Sequence, residues 1–558
     1  MSESEPADVV IVGYGPTGQL LALMLGRQGH KVVVVDRWPD LYPLPRAVHF
    51  DDEIGRILQA AGAMDAVEAI IEPSDLYQWR NAAGDVLIEF DWGGRGPSGW
   101  PISNIFSQPQ LERVLDAKVK AQPTVAVRQG WSASTLSQDA SGVHVGIEHG
   151  DFRDGQWVPD GGKDALHARF VVGADGANSF VRRALGVSMH DLGFSFDWLV
   201  VDVIPHTKRD WYPKAWQLCD PRRPTTIIPG GPGRRRWEFM ALPGEYAEDL
   251  NRAEVAWRLL APWDITPENA TLERHAVYKF RGQWATSWKE GRVLLAGDAA
   301  HLTPPFAGQG MCSGIRDSAA LAWRLDLALR DIAPDDVFDS YGPERSAHVQ
   351  EWIDFAVELG KVICVPDPEA AAQRDRELLA ARAQTNFRPP PTPSPRLGAG
   401  LYLDEAPGSG RLGPQGLVEM NGRRGLFDDL VGVRFAVIAK SPAILGEISE
   451  ANRKALDRLG AAVIHFDENA GGLKDAEGTY HRFLDNLGCE AMLARPDFYL
   501  QGAARNAAEL NRLLDVTRAR LMINVPDCES SVYLVKHAEP SLSPGLDRRQ
   551  NPDARALQ

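Results

Sequence analysis

Near the start of the chain four β-branched residues, Val9-Val10-Ile11-Val12, run straight into Gly13-Tyr14-Gly15-Pro16-Thr17-Gly18, and no other feature restricts the fold as much. A short, continuous, β-branched run reads as a buried strand. Beyond the glycines, Leu20, Leu21, Met24 and Leu25 form a helical stripe, closed by Gly29 where a helix C-terminus favours glycine. Lys31-Val32-Val33-Val34-Val35 is then a second buried strand, ending at Asp36. The succession predicts a βαβ unit with adjacent parallel strands. In such a unit Gly13 permits the tight turn, Gly15 lets the backbone approach a pyrophosphate, and Gly18 lets helix and strand pack closely. The helix N-terminus offers free N–H groups and the positive end of its dipole to phosphates. Asp36 is placed to accept hydrogen bonds from an adenosine ribose. The expectation is a Rossmann-like dinucleotide site.

The same glycine pattern recurs at Gly94-Arg95-Gly96-Pro97-Ser98-Gly99, but Trp100-Pro101 follows where a helix should start. Proline there spoils a continuing helix, so this copy is a loop. One dinucleotide site has a dedicated βαβ unit; a second, for a nicotinamide cofactor, is not evident. Two further strand-like runs end in glycine. Ala168-Arg169-Phe170-Val171-Val172 leads into Gly173-Ala174-Asp175-Gly176, and Arg292-Val293-Leu294-Leu295-Ala296 into Gly297-Asp298-Ala299-Ala300-His301. Residues 311–330 then show helical spacing at Ile315, Ala319, Ala322, Leu325 and Leu329. Between 190 and 280 the pattern changes to short strand-like pieces rich in tryptophan, read as a β-rich domain inserted into the first.

These readings give an α/β chain. The first domain comprises residues 1–75, 101–189 and 281–385, and the inserted domain 76–100 and 190–280. Residues 386–416, rich in Pro and Gly and opening Arg388-Pro389-Pro390-Pro391, suit a stiff linker. A small α/β domain over 417–540 shows strands at Phe435–Ala439 and Ala461–His465, and 541–558 is a polar tail.

Charge and cysteine usage narrow the setting. The chain has 558 residues with 60 basic against 75 acidic side chains, a formal charge of −15. Nucleic acid and anionic membrane both reward lysine and arginine, so neither is expected as the main partner. Cys219, Cys312, Cys364, Cys489 and Cys528 are odd in number without C-x-x-C spacing, which argues against a disulfide framework or a metal cluster. The acidic start is unlike a targeting peptide and no apolar run is long enough to span a bilayer, so a reduced cytoplasm is the expected location.

Three blocks, in order, resemble the class A FAD-dependent aromatic hydroxylases. They are Gly13 to Gly18 with Asp36; Gly173-Ala174-Asp175-Gly176-Ala177-Asn178-Ser179 continuing to Val181-Arg182; and Gly297 to His301 followed by Pro304-Pro305-Phe306-Ala307-Gly308-Gln309-Gly310-Met311. Within that family the likeness is to 3-(3-hydroxyphenyl)propionate hydroxylases. It is carried by Pro45-Arg46-Ala47 with Asp51-Asp52-Glu53, Gln108-Pro109-Gln110, Cys219-Asp220-Pro221 with Arg223-Pro224, and Trp237-Glu238-Phe239-Met240 leading to Pro243-Gly244-Glu245. The resemblance implies a Rossmann-like FAD-binding domain, an inserted substrate-binding domain, and a thioredoxin-like C-terminal domain without redox cysteines. It places FAD against Gly13, Gly15, Pro16, Thr17, Gly18, Asp36, Arg37, Arg46, Ala47, Gln108, Asp175, Gly297, Asp298, Pro305, Gly308, Gly310, Met311 and Cys312. Asp298 would bind the ribityl or pyrophosphate region, and Asp175 would bridge FAD and a transient nicotinamide site. Arg46 would lie near the pyrophosphate, and Gln108 would touch the flavin. A helix beginning near Met311 would turn its N-terminal dipole toward the flavin pyrimidine edge. Two residues depart from the family pattern: Cys312 stands where asparagine is common, and Ala307 where glycine is usual.

The implied reaction uses NADH or NADPH to reduce FAD, and O2 to form a flavin C4a-hydroperoxide that hydroxylates a phenol. The substrate expected is 3-(3-hydroxyphenyl)propionate-like. The alternatives are a resorcinol-like or polyketide-derived phenol, or a flavoprotein that no longer hydroxylates. Among candidate residues, His49 titrates in the range needed to take the phenol proton. Arg223 can pair a substrate carboxylate. Trp216, with Trp198, Trp211 and Trp237, can wall a dry pocket, although core packing is the commoner role for any one of them. A homodimer is the candidate assembly.

Overall fold

Val9, Val10 and Ile11 are fully shielded from solvent because the strand Ala7–Val12 is flanked on both sides. Val9 pairs in parallel register with Phe170 on one edge and with Val32 on the other. This position explains the unbroken apolar run: a strand covered on both faces has no use for polar alternation. Each such side chain contributes roughly 1.5–3 kcal/mol by leaving water. A computed structural model describes residues 6–153, 156–388 and 391–523; the tail 541–558 and Cys528 lie outside the described residues.

The helix Pro16–Arg27 opens on proline at its first turn, where an absent N–H is harmless. It closes as expected at Gly29, whose φ of +86° caps the end. Among the described residues, one sheet runs in spatial order Lys289–Glu290, Val293–Leu295, Gln156–Gly173, Ala7–Val12, Val32–Asp36 and Val125–Gln129. Val143–Arg153 and Trp131–Gln138 extend it antiparallel from Gln156–Gly173. The registers Val12 with Gly173 and Gly173 with Leu295 bring the three glycine-bearing strand ends side by side. The crevice beyond the carboxyl ends of parallel strands is where such sheets bind ligands.

A second sheet runs His301–Leu302, Ala270–Ala285, Met189–Pro205, Arg235–Met240, Thr225–Pro229, Ala215–Cys219, Leu76–Asn81 and Val86–Asp91. Alternation along its strands separates two faces. Leu199, Val201, Ile227, Trp237 and Phe239 pack into a core with Leu260 from the helix Ala253–Leu260. Val200, Thr226, Ile228, Arg236 and Glu238, the intervening residues, face the cavity described below.

The helix expected over 311–330 is found at Gly310–Leu329. Gly94 to Gly99 is a loop, in which the Gly96 N–H bonds the Trp100 carbonyl and the Ser98 N–H bonds Asp52. Toward the C-terminus Ala462–His465, Ala436–Ala439, Ala491–Ala494 and Leu500–Ala504 form a sheet, the first pair parallel and the others antiparallel. The helix Ala507–Arg520 covers it through Leu510, Leu513 and Leu514. Residues 391–416 carry no helix or strand, yet Leu397 and Tyr402 within them are buried. No helix among the described residues is long and apolar enough to cross a membrane.

Candidate functional site

The three glycines of the first loop differ in what surrounds them. Gly13 has a φ of +109°, and a Cβ there would sit 2.2 Å from the Ala174 carbonyl oxygen. A Cβ on Gly18 would fall 2.0 Å from the Gly13 oxygen. Both are needed for the chain's own closeness. Gly15 instead faces open space, with Arg46 Nη2 the nearest atom at 4.0 Å. That space belongs to a cavity of about 730 Å³ reaching from the glycine loop to the second sheet.

The cavity is lined by Gly13, Gly15, Pro16, Thr17, Asp36, Arg37, Arg46, Ala47, His49, Gln108, Asp175, Asp298, Pro305, Gly308, Gly310 and Met311. Gly18 and Gly297 stand behind it and shape it. The Gly297 N–H is held by Asp317 at 2.9 Å, and a Cβ there would meet Thr17 Oγ1 at 2.8 Å.

At the end beside the glycine loop, Asp36 accepts the N–H groups of Tyr14 at 2.6 Å and Trp38 at 2.7 Å. Burial pushes its pKa up against those two donors. Gln108 accepts the Ala47 N–H at 2.6 Å and donates to Glu112 at 2.6 Å. Glu112 lies 3.6 Å from Arg46, whose guanidinium covers the Tyr42 ring. Asp175 caps the short helix Phe180–Ala184, accepting the Phe180 and Val181 N–H groups and the Ser179 hydroxyl. Its place in the wall therefore has a structural cause as well.

Asp298 is exposed to the cavity, and the protein crowded around it raises its pKa by desolvation. A carboxylate so placed favours a ligand that brings donors to it.

The loop before Gly310–Leu329 is braced from behind. Arg316 bonds Asp51, Glu53 and, at 2.8 Å, Gln309. Asp51 also accepts from Gln309 Nε2 at 3.0 Å. The helix starts without a side-chain cap, so its first N–H groups, beside Gly310 and Met311, remain open toward the cavity. Cys312 lies outside the lining. Its thiol points to the carbonyls of Gly308 at 3.4 Å and His49 at 3.8 Å, and burial raises its pKa.

His49 occupies the wall beside this loop, with Nδ1 buried against Gly308. Burial lowers its pKa, with nearby Asp51 opposing. Its ring stacks on Trp92, and Trp92 stacks on Tyr77, with centroids 5.1 and 4.5 Å apart. Phe280 and Phe306 complete an aromatic slot.

The two substrate candidates from the tryptophan-rich segment stand elsewhere. Arg223 is held by both carboxylate oxygens of Glu245, at 2.6 and 2.7 Å, and by the Met240 carbonyl. Trp216 packs among Trp211, Trp237 and Trp263 on the core face of the second sheet. Strand alternation is the reason: Trp216 points to the core and its neighbour Gln217 to the cavity. Trp198 and Trp237 are likewise fully buried in packing. Sequence reading missed Tyr77, Trp92, Glu112, Gln217 and Thr226, which line the cavity. Glu112 is spaced one helical turn from Gln108, a signal that was available.

A family model described as an FAD binding domain matches residues 6–356, and one described as the HcaD C-terminal domain matches 410–520. A probable NADH-specific resorcinol 4-hydroxylase of Rhodococcus jostii is 38% identical, over 90% of this chain and 93% of that protein. A 3-(3-hydroxy-phenyl)propionate/3-hydroxycinnamic acid hydroxylase of Mycolicibacterium gilvum is 34% identical, over 92% of each. Among solved structures, the flavin-dependent monooxygenase PieE superposes with a TM-score of 0.76 at 23% identity, covering 93% of this chain and 99% of PieE. Aklavinone-11 hydroxylase gives 0.73 at 25% identity, covering 94% of this chain and all of that one.

Proposed function

We propose that this chain, which belongs to the FAD-dependent aromatic hydroxylases, hydroxylates a monocyclic phenol carrying a second substituent meta to its hydroxyl, at the expense of NADH or NADPH and O2. The relatives named for resorcinol and for 3-(3-hydroxyphenyl)propionate differ in that substituent and share the meta-substituted phenol.

One observation carries the reading. A single cavity joins the glycine loop and Asp36 to an aromatic slot containing His49, and Pro305, Gly308, Gly310 and Met311 line it, Gly308 directly against His49. The wall fits FAD. Gly15 leaves room for a pyrophosphate, Asp298 awaits donors, and the open start of Gly310–Leu329 favours negative charge. When bound, FAD supplies hydride acceptance and oxygen activation.

The chain's residues do the remainder. Trp92, Phe280 and Phe306 exclude water and hold an aromatic ring flat. His49, kept neutral by burial, takes the phenol proton, which makes the ring more electron-rich. Arg46, at the cavity wall beside Gly15, offers its guanidinium to the phosphates. The C-terminal sheet, with its second strand outermost beside the first, then the third and fourth, supports a thioredoxin-like arrangement of residues 417–523.

The test is NAD(P)H oxidation by the FAD-loaded protein with and without phenols, products being weighed by mass spectrometry. Stimulation with one added oxygen atom is expected. Oxidation that no phenol stimulates would reject the reading.

A further inference from the structure

The substituent left open above meets a built wall of the cavity. On the second sheet Val200, Glu238, Thr226 and Gln217 stand in one row, each the register partner of the next. All four line the cavity. Thr226 donates to Gln217 Oε1 at 2.7 Å, and Gln217 Nε2 donates to the Tyr77 hydroxyl oxygen. The amide is thereby fixed at both ends. The Tyr77 oxygen already accepts, and its proton has no acceptor among the described residues. Tyr77 and Glu238 are nearly buried, 4% and 7% exposed. The guanidinium beside Glu238, Arg236 at 3.6 Å, is committed elsewhere: to Asp202 through Nε and Nη2, and to the Arg46 and Pro45 carbonyls.

We propose that Tyr77 and Glu238 read the second substituent of the phenol, and that this substituent is an uncharged hydroxyl, accepting from Tyr77 and donating to Glu238. The proposal rests on the phenol-hydroxylase reading and makes it more specific. A hydroxyl is donor and acceptor at once and matches a donor standing near an acceptor. A carboxylate only accepts, and here it would face Glu238 with Arg236 already engaged by Asp202. The stack from Tyr77 through Trp92 to His49 sets this wall one aromatic ring away from the proposed base. The competing anchor is Arg274, which lines the same cavity with Nε and Nη1 lacking hydrogen bonds among the described residues. It stands one row further along, 3.7 Å from Asp202 and over the Tyr278 ring. A carboxylated side chain would be drawn there instead.

The experiment compares resorcinol, phenol and 3-(3-hydroxyphenyl)propionate as substrates of the FAD-loaded wild type, Tyr77→Phe, Glu238→Gln and Arg274→Gln. It reads kcat, KM and product formed per NADH or NADPH consumed, with the flavin spectrum confirming a loaded fold. The wild type is expected to favour resorcinol over the propionate by about tenfold or more in kcat/KM. Tyr77→Phe and Glu238→Gln should each lower the resorcinol-to-phenol ratio of kcat/KM by roughly ten- to hundredfold, chiefly through the KM for resorcinol. Should Tyr77→Phe fail to load FAD, Thr226→Val releases one end of the pinned amide and serves in its place. A wild-type preference for the propionate, abolished by Arg274→Gln, would overturn the assignment. An unchanged resorcinol-to-phenol ratio in both wall variants would overturn it too, and either result leaves the hydroxylase reading standing. If the wild type hydroxylates none of the three, that reading falls and the assignment with it.

Discussion

At the scale of single residues, His49 and Asp298 line the same cavity, and desolvation acts on both against charge. Burial disfavours the charged form of each, holding the imidazole neutral and raising the carboxyl. The imidazole serves as a base only when deprotonated, so hydroxylation should fall as pH drops through its lowered pKa, below the ordinary value near 6.5. A kcat profile with an acid limb below about pH 6.5, lost in His49→Gln along with roughly 10²–10⁴-fold of rate, is the expected outcome. An unchanged profile in His49→Gln would assign the limb to another group. For Asp298 the prediction concerns binding: Asp298→Ala removes the open carboxylate, and FAD retention after gel filtration should fall at least tenfold. Their places on the cavity were legible because each lies in or next to a short motif. Trp216 was misplaced and Gln217 missed for one reason, since adjacent strand residues face opposite ways and only the sheet's register decides which way is inward. Arg223 could serve a substrate carboxylate or a structural ion pair by sequence alone, and the fold supplies the second through Glu245, twenty-two residues on.

The element that organises the site is the helix Gly310–Leu329. Its start opens to the cavity, and its first turns pack against Pro16–Arg27 and the Gly297 turn. A Cβ on Gly314 would come within 2.4 Å of Thr17 Oγ1 and 3.1 Å of the Gly297 Cα. Gly314→Val should therefore push the two helices apart, with a cost of about 1–3 kcal/mol and weaker FAD retention. Thermal melting with the flavin-to-protein absorbance ratio checks both; an unchanged ratio would show that the close contact does not shape the cofactor end. The helix, the βαβ unit and the glycine-ended strands were readable because each is encoded by local periodicity. The glycine pattern at Gly94 was correctly rejected on the same ground, the residues that follow it. Beyond local reach, sequence reading ran short. The strand expected at Ala168–Val172 extends over Gln156–Gly173, because its outer half pairs with Val143–Arg153 rather than with a buried neighbour.

Over the whole molecule, the C-terminal sheet is tied to the back of this helix by buried charge. Glu344, fully buried, accepts from Arg324 at 2.6 Å, from Arg495 at 2.9 Å and from the Leu401 N–H at 2.7 Å. Asp497 receives Arg495 and the Trp323 indole N–H at 2.8 Å, while Arg56 bonds both oxygens of Asp428. Composition marked the Pro- and Gly-rich stretch over 386–416, but nothing local foretold that its Leu397 and Tyr402 would be buried, or that arginines from distant segments would converge on one glutamate. Burying these charges is tolerable only while they are paired, so the cluster acts less as a source of stability than as a requirement for one arrangement. Glu344→Gln leaves Arg324 and Arg495 without their shared counter-charge, and a loss of roughly 3–5 kcal/mol is expected by urea unfolding. The sharper expectation concerns coupling. Since Arg324 sits on the helix whose start lines the cavity proposed for FAD, the substitution should also weaken FAD retention from the far end of that helix. Lower stability with unchanged FAD affinity would show the C-terminal sheet to be a passenger; loss of both would make it a brace for the flavin site.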